Sequence, residues 1–103
     1  MIMTPARTVR EALEGIDLLI PLLSDREQVA RIAHVRDDLL AIRGAADNGT
    51  RVPVNHGHLE EMQAMVGQVC LNGGLGIEHH ELAADLCTAM REIGLQAVES
   101  VIG

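Results

Sequence analysis

The sequence predicts an all-α fold in a single domain, and two observations favour this class. Apolar residues recur at steps of three and four over long stretches, which is the spacing of one helix face. The core has to be aliphatic, because the 103 residues include no Phe, Tyr or Trp, and aliphatic side chains suit close helix packing better than a sheet. A chain of this length holds one modest core.

The longest amphipathic stretch runs from Thr8 to Arg43, and Pro21 interrupts it. Proline inside a helix removes a hydrogen bond, and Ser24 to Glu27 reads as a capping box, so local rules favour a break. Two interpretations stay open, namely a kinked rod and two helices joined at Pro21. A rod would be roughly 60 Å long and could bury its apolar stripe only against a partner chain. The stripe consists of Val9, Leu13, Ile16, Ile20, Leu23, Val29, Ile32, Arg36, Leu39 and Arg43.

Short polar segments mark the ends of this first helical region. Thr4 is a good N-cap residue and Pro5 is favoured at the first helical position, so the helix is predicted to start there. Asp47 to Gly49 is predicted to end it. The residues from Gly49 to Val54 are expected to form a connector, because Pro53 prevents a helix.

Two further helices are expected after the connector. Asn55 is predicted to cap the second helix, and Asn72 to Gly74 to end it. The last helix is predicted from about Glu78 to Val101, with Gly94 in its middle marking the close approach of another helix. The residues expected to face inward are Leu59, Met62, Val66 and Val69 in the second helix, and Leu82, Leu86, Met90, Ile93, Ala97 and Val101 in the last.

Charge and composition exclude several classes of partner. The formal net charge of −7 disfavours nonspecific binding to nucleic acids or anionic membranes, although a small cluster of arginines could still receive a small anion. No apolar signal region and no run of membrane-spanning length is evident, so we expect a cytoplasmic protein without a membrane partner. Cys70 and Cys87 are expected to be small buried apolar side chains.

The histidines raise the possibility of a metal site. His56, His58, His79 and His80 flank the predicted turns, and His34 lies four residues before Asp38. No Glu-x-x-His pair occurs on two helices, which a metal site in a helix bundle requires. We therefore expect solvated histidines and no metal or other cofactor.

Several segments resemble the all-helical chorismate mutases in the same order along the chain. Thr8 to Asp17 (TVREALEGID) and Leu19 to Arg26 (LIPLLSDR) are similar to the opening helix of that family. Gly49 to Val54, with Glu60-Glu61-Met62 beyond it, looks like the loop into the second helix. Gly74-Leu75 looks like the entry to the third. The resemblance covers nearly the whole chain and implies three helices, a long kinked first helix and an intertwined homodimer.

The resemblance also implies an activity, the rearrangement of chorismate to prephenate in aromatic amino acid biosynthesis or a related chorismate or isochorismate reaction. The substrate is a small dicarboxylate, so its site needs bidentate arginines and a donor at the ether oxygen, and no metal. Arg10 and Arg26 lie about 24 Å apart along a straight helix, so they could meet only in a site shared between subunits. The implied residues are Arg10, Arg26, Arg36 and Glu61 for catalysis, and Arg43, Glu60, Gln96 and Glu99 for substrate binding.

Other assignments stay open at this point. Arg43 competes with Arg36 for one position in the site, and Glu60 competes with Glu61 for another. Leu59 or Glu60 stands where the family carries an arginine, and Val98 stands near its last catalytic position. The arginines could equally be surface or ion-pair residues. The alternative function is a noncatalytic helical dimer that acts as a protein-binding or regulatory module.

Overall fold

Four α-helices and a small antiparallel sheet form the part of the chain that the computed structural model describes, residues 2–44 and 51–99. The prediction of a mainly helical chain is confirmed at this level. A 3₁₀ turn at Ile20–Leu22 joins the first helix to the second, and another at Ile77–His79 joins the third to the fourth. The elements are β1 (Ile2–Pro5), α1 (Ala6–Leu19), α2 (Arg26–Gly44), β2 (Arg51–Val54), α3 (His56–Asn72), α4 (His80–Leu95) and β3 (Val98–Glu99).

The continuous first rod is wrong, and the alternative of two helices joined at Pro21 is the observed one. The chain leaves α1 through the 3₁₀ turn that contains Pro21, and Leu23 is extended with ψ 133°. Helix α2 then starts at Arg26, where the Asp25 carboxylate accepts a hydrogen bond from the Glu27 backbone N–H at 2.8 Å. A straight rod of roughly 60 Å would also exceed the 49 Å long axis of the protein. The described chain therefore has four helices and not three.

The break at Pro21 lets one chain bury most of the apolar stripe by itself. Helices α1 and α2 pack against each other, and α1 also packs against α4. This burial removes the argument that the stripe requires an intertwined partner chain. The stripe residues that are fully or almost fully buried are Val9, Leu13, Ile16, Ile32 and Leu39.

The sheet was not predicted. It pairs a strand at the start of the described chain with a strand at its end. Strand β1 lies in the centre and pairs antiparallel with both β2 and β3, with Ile2 opposite Val54 on one side and Glu99 on the other. Thr4 is therefore not a helix cap. It lies buried in β1, and its hydroxyl donates a 2.8 Å hydrogen bond to the Ile93 carbonyl. Pro53 is compatible with its strand because β2 is an edge strand.

Helix α3 follows the sequence prediction closely. The Asn55 side chain accepts a 3.0 Å hydrogen bond from the His58 backbone N–H, and the helix ends at Asn72. The inward-facing residues predicted for it are all buried, namely Leu59, Met62, Val66 and Val69.

Helix α4 is shorter than predicted. It ends at Leu95, and the chain passes into β3 where the prediction continued the helix to Val101, a residue outside the described ones. Gly94 thus lies near the end of α4. A Cβ there would stand 3.6 Å from side-chain atoms of both Gln63 and Leu59 of α3, an ordinary contact distance, so α3 lies beside Gly94 without requiring a glycine. The predicted end of the first helical region at Asp47 to Gly49 also lies outside the described residues.

The described elements repeat one order twice, a strand followed by a helix, a 3₁₀ turn and a second helix. Helices α1 and α2 form the first pair and α3 and α4 the second, and the two pairs pack together through α1 with α4 and α2 with α3. No described helix is both long enough and apolar enough to cross a membrane.

Candidate functional site

The arginines expected to clamp a substrate lie on two different helices. Arg10 is exposed on α1, whereas Arg26 and Arg43 are exposed at the two ends of α2. The Arg36 Nε donates to the Asp17 carboxylate at 2.6 Å, so an acid of the same chain supplies the anionic partner that its position on the stripe calls for. Arg36 is thus one of the ion-pair residues that the sequence allowed as an alternative to a substrate clamp.

The Arg36–Asp17 pair is expected to contribute little to stability, because both side chains are partly exposed and solvent screens them. In a double-mutant cycle with Arg36→Ala and Asp17→Ala, we expect a coupling energy of about 0.2–1 kcal/mol in chemical denaturation. Added salt should reduce it. A coupling of several kcal/mol would contradict this assignment and indicate a desolvated, functional arginine.

The remaining predicted site residues are dispersed as well. Exposed Glu60 approaches His56 at 3.3 Å, four residues earlier on α3. Gln96 follows the last residue of α4, and its Oε1 accepts a 2.6 Å hydrogen bond from the Thr8 hydroxyl while its Nε2 donates to Glu92. Glu99 lies in β3. Among the described residues, no hydrogen bond or ion pair joins one predicted site residue to another.

Glu61 is the predicted residue that lines a described cleft. Between α2 and α3, the Nε2 of His58 lies 3.3 Å from the Asp38 carboxylate, and its Nδ1 lies 3.8 Å from Glu61. His34 approaches the same Asp38 oxygen at 3.7 Å. The cleft has a volume of about 70 Å³, well below the roughly 300–1,000 Å³ of typical ligand sites. Its geometry fits a polar contact between two helices and leaves no room for a dicarboxylate substrate.

His34, His56 and His80 are exposed, as expected for solvated histidines, whereas His58 and His79 are partly buried and lie within 4 Å of a carboxylate. Within residues 2–44 and 51–99, no group of three or more His, Cys, Asp or Glu side chains is arranged to hold a metal ion.

A larger apolar groove lies between α3 and α4, and we call it the α3–α4 groove. Its main part has a volume of about 440 Å³, and a second part of about 270 Å³ shares Gly67 and Cys87 with it. Small side chains make it open, and a Cβ placed on Gly67 would meet nothing within 4 Å. The lining residues are Gly67, Cys70, Leu71, His80, Ala83, Ala84 and Cys87 in the main part, and Gln63, Met90 and Arg91 in the second.

The α3 side of the groove and the turn that follows it are uncharged and carry exposed apolar side chains. Leu71, at the rim, is 85% exposed, and Ile77 in the following turn is 84% exposed. No charged residue occurs from Met62 to Ile77, whereas 22% of the whole chain is charged. Depletion of charge together with exposed apolar side chains is typical of the centre of a protein interface.

The two cysteines also meet in the α3–α4 groove. Their Sγ atoms lie 3.9 Å apart, and both side chains are half-buried. Burial, followed by the charge and hydrogen bond of neighbouring Cys87, raises the pKa of the Cys70 thiol to about 12. The sequence analysis predicted two small buried side chains and did not predict this contact. Two predicted helices joined by a turn over residues 56–95 would have indicated that the cysteines could meet.

Comparison with known proteins adds no relative to this picture. No family model, no curated protein and no solved structure matches the chain.

Proposed function

We propose that this chain is a noncatalytic helical module that acts by protein association, and that the α3–α4 groove is its contact surface. The observation that carries the proposal is an apolar groove of about 440 Å³ beside a leucine that is 85% exposed. A groove between two helices that is lined by small side chains is suited to receive the apolar face of another helix.

The occupant that fits this surface is a second copy of the chain. A symmetric dimer uses the same surface on both subunits, so that surface must contain a protruding part and a recess that fits it. Leu71 supplies the protruding part, and the recess lined by Gly67, Ala83 and Ala84 supplies the other. This arrangement is a homodimer by surface contact, in place of the intertwined homodimer that the family resemblance implied.

The charge distribution favours this surface over the rest of the molecule. Two copies with a net charge of −7 each repel one another, and the repulsion is smallest where no acid lies at the contact. The α3 side of the groove, within the stretch from Met62 to Ile77, meets that condition, whereas Asp85 is exposed next to Ala84 on the α4 side. Because salt screens the remaining repulsion, the dimer is expected to become tighter as ionic strength rises.

Chorismate mutase activity stays a prediction and is the competing function. Its expected residues, Arg10, Arg26, Arg36 and Glu61, belong to three helices, and an acid of the chain pairs with Arg36. The discriminating measurement is loss of chorismate absorbance with the purified protein, together with thermal unfolding in the presence of a transition-state-like dicarboxylate. The association proposal expects no turnover and no shift in melting temperature, and turnover would favour the enzyme.

Replacing Leu71 with aspartate tests the association directly. A carboxylate placed in an apolar contact must be desolvated or leave the contact, so we expect the dimer to weaken by at least about tenfold. Analytical ultracentrifugation across the micromolar range measures the change, and circular dichroism checks that the fold is kept. The matched control is Leu18→Asp, because Leu18 is 61% exposed on α1 and the change adds the same charge away from the groove.

A second variant tests the recess instead of the protruding side chain. Gly67→Leu places its side chain in open space within α3 and removes a glycine from a helix interior, so the monomer should keep its stability while the groove is filled. We expect Gly67→Leu to weaken the dimer as Leu71→Asp does. A wild-type chain that sediments as a monomer at every concentration would overturn the proposal.

A further inference from the structure

The Cys70 and Cys87 pair lies in the α3–α4 groove, and the proposed association makes no use of its sulfur chemistry. The two residues lie 17 positions apart in sequence, one on α3 and the other on α4, with a Sγ–Sγ distance of 3.9 Å. Both line the open part of the α3–α4 groove, so a small oxidant can reach the sulfur atoms from solvent.

We propose that Cys70 and Cys87 form a reversible disulfide between α3 and α4 when the protein meets a hydroperoxide. A disulfide requires a S–S distance of about 2.05 Å, which side-chain rotation within the groove can supply from the observed contact. The inference rests on the thiol contact and on an open groove, as in the monomer, so it does not require the proposed association.

The two thiols have different roles in the reaction. Cys70 is held as a thiol at neutral pH, because burial and neighbouring Cys87 raise its pKa to about 12. Reaction therefore begins at Cys87, whose thiolate attacks one peroxide oxygen and breaks the O–O bond. The products of this step are a Cys87 sulfenic acid and one water (one alcohol, for an organic hydroperoxide) once the leaving oxygen has taken a proton.

Cys70 completes the reaction by attacking the sulfenic sulfur. The S–S bond forms as the S–O bond breaks, and the hydroxyl leaves as a second water with the Cys70 proton. Overall, two thiols lose two electrons and two protons, and one peroxide is reduced to two waters. A disulfide of this kind, formed on exposure to an oxidant and reversed by thiols, is the type found in redox-sensing intracellular proteins.

The experiment exposes the reduced 103-residue chain to hydrogen peroxide, alkylates the remaining thiols with iodoacetamide and measures the intact mass. We expect a chain that has lost the mass of two hydrogen atoms and takes no alkyl group, and we expect dithiothreitol to restore both thiols. Peptide mapping should place the bond between Cys70 and Cys87. Leu71→Asp, in which the groove stays open, should form the bond at least as readily as the wild-type chain, so a failure of dimerisation leaves this result unaffected.

Single-serine variants provide the controls. In Cys70→Ser, the Cys87 sulfenic acid has no intrachain partner and should accumulate as a dimedone adduct, whereas Cys87→Ser should label several-fold less. Equal labelling of the two variants would overturn the assigned order. The disulfide itself would be overturned if both wild-type thiols stay alkylatable, if they gain oxygen as sulfinic acids, or if the bond forms between chains.

Discussion

Leu39→Ala is expected to lower the free energy of unfolding by about 2–5 kcal/mol, because truncating a fully buried leucine loses its transfer energy and leaves a cavity. Leu39 has 0% exposure in the core on α2. A loss of this size is a large part of the roughly 5–15 kcal/mol that stabilises a typical domain. Chemical denaturation followed by circular dichroism measures it.

The neighbouring leucine is a matched control. Leu40 lies one position further along the same helix and is 38% exposed, so Leu40→Ala should cost less than about 1 kcal/mol. Equal losses in the two variants would mean that α2 faces a different surface from the one described.

The same pair of variants separates burial within one chain from burial in an intertwined dimer. Because Leu39 is buried within one chain, the chain should stay helical when it is diluted until it is monomeric, and the difference between the variants should persist there. A chain that unfolds as it dissociates would favour the intertwined architecture instead.

Local sequence signals predicted part of the fold well. Asn55, Asn72 and Gly73 gave the bounds of α3 because caps and stop signals act within a few residues. Pro21 also correctly predicted a break between two helices. The wrong prediction of one continuous first helix came from the family resemblance. Resemblance between helices is weak evidence here, because amphipathic helices reuse the same few residue types at the same spacing.

Contacts between distant parts of the chain could not be predicted from local signals. Strand β1 is only four residues long and includes a proline, and its partners lie about half a chain and a whole chain away. Thr4 fits the rule for a helix cap, yet its hydroxyl bonds Ile93, 89 positions away. Such pairings depend on how the helices fold back, which no short motif encodes.

The candidate site also divides into features that local sequence signals reveal and contacts that only the folded chain reveals. The Asp17 partner of Arg36 lies 19 positions earlier on another helix, so it appears only once the break at Pro21 is known. The uncharged stretch from Met62 to Ile77 was readable from composition alone. A search for functional side chains passes over it, because its signal is the absence of charge.

The segment between α1 and α2 contacts the segment between α3 and α4, and a substitution at this contact is expected to have a second large effect on stability. The Ser24 backbone N–H donates to the Gly73 carbonyl at 3.1 Å, and the Ser24 hydroxyl donates to the same oxygen at 3.3 Å. Gly74 follows with φ 77°, a left-handed conformation that L side chains rarely adopt, and a Cβ there would overlap the Ser24 hydroxyl. Both helix pairs are thus joined at a point that requires glycine.

Gly74→Val is therefore expected to lower the free energy of unfolding by about 2–4 kcal/mol, since backbone strain and steric overlap add. Ser24→Ala in the same chain should recover part of the loss, because it removes the overlapping hydroxyl and leaves the strain. Gly67→Ala is the control, a glycine in open space within a helix, where alanine should stabilise by up to about 1 kcal/mol. The stabilities are compared by the denaturation midpoints of the wild type, Gly74→Val, the double variant with Ser24→Ala, and Gly67→Ala. A Gly74→Val chain as stable as wild type would show that the two turns do not meet as described.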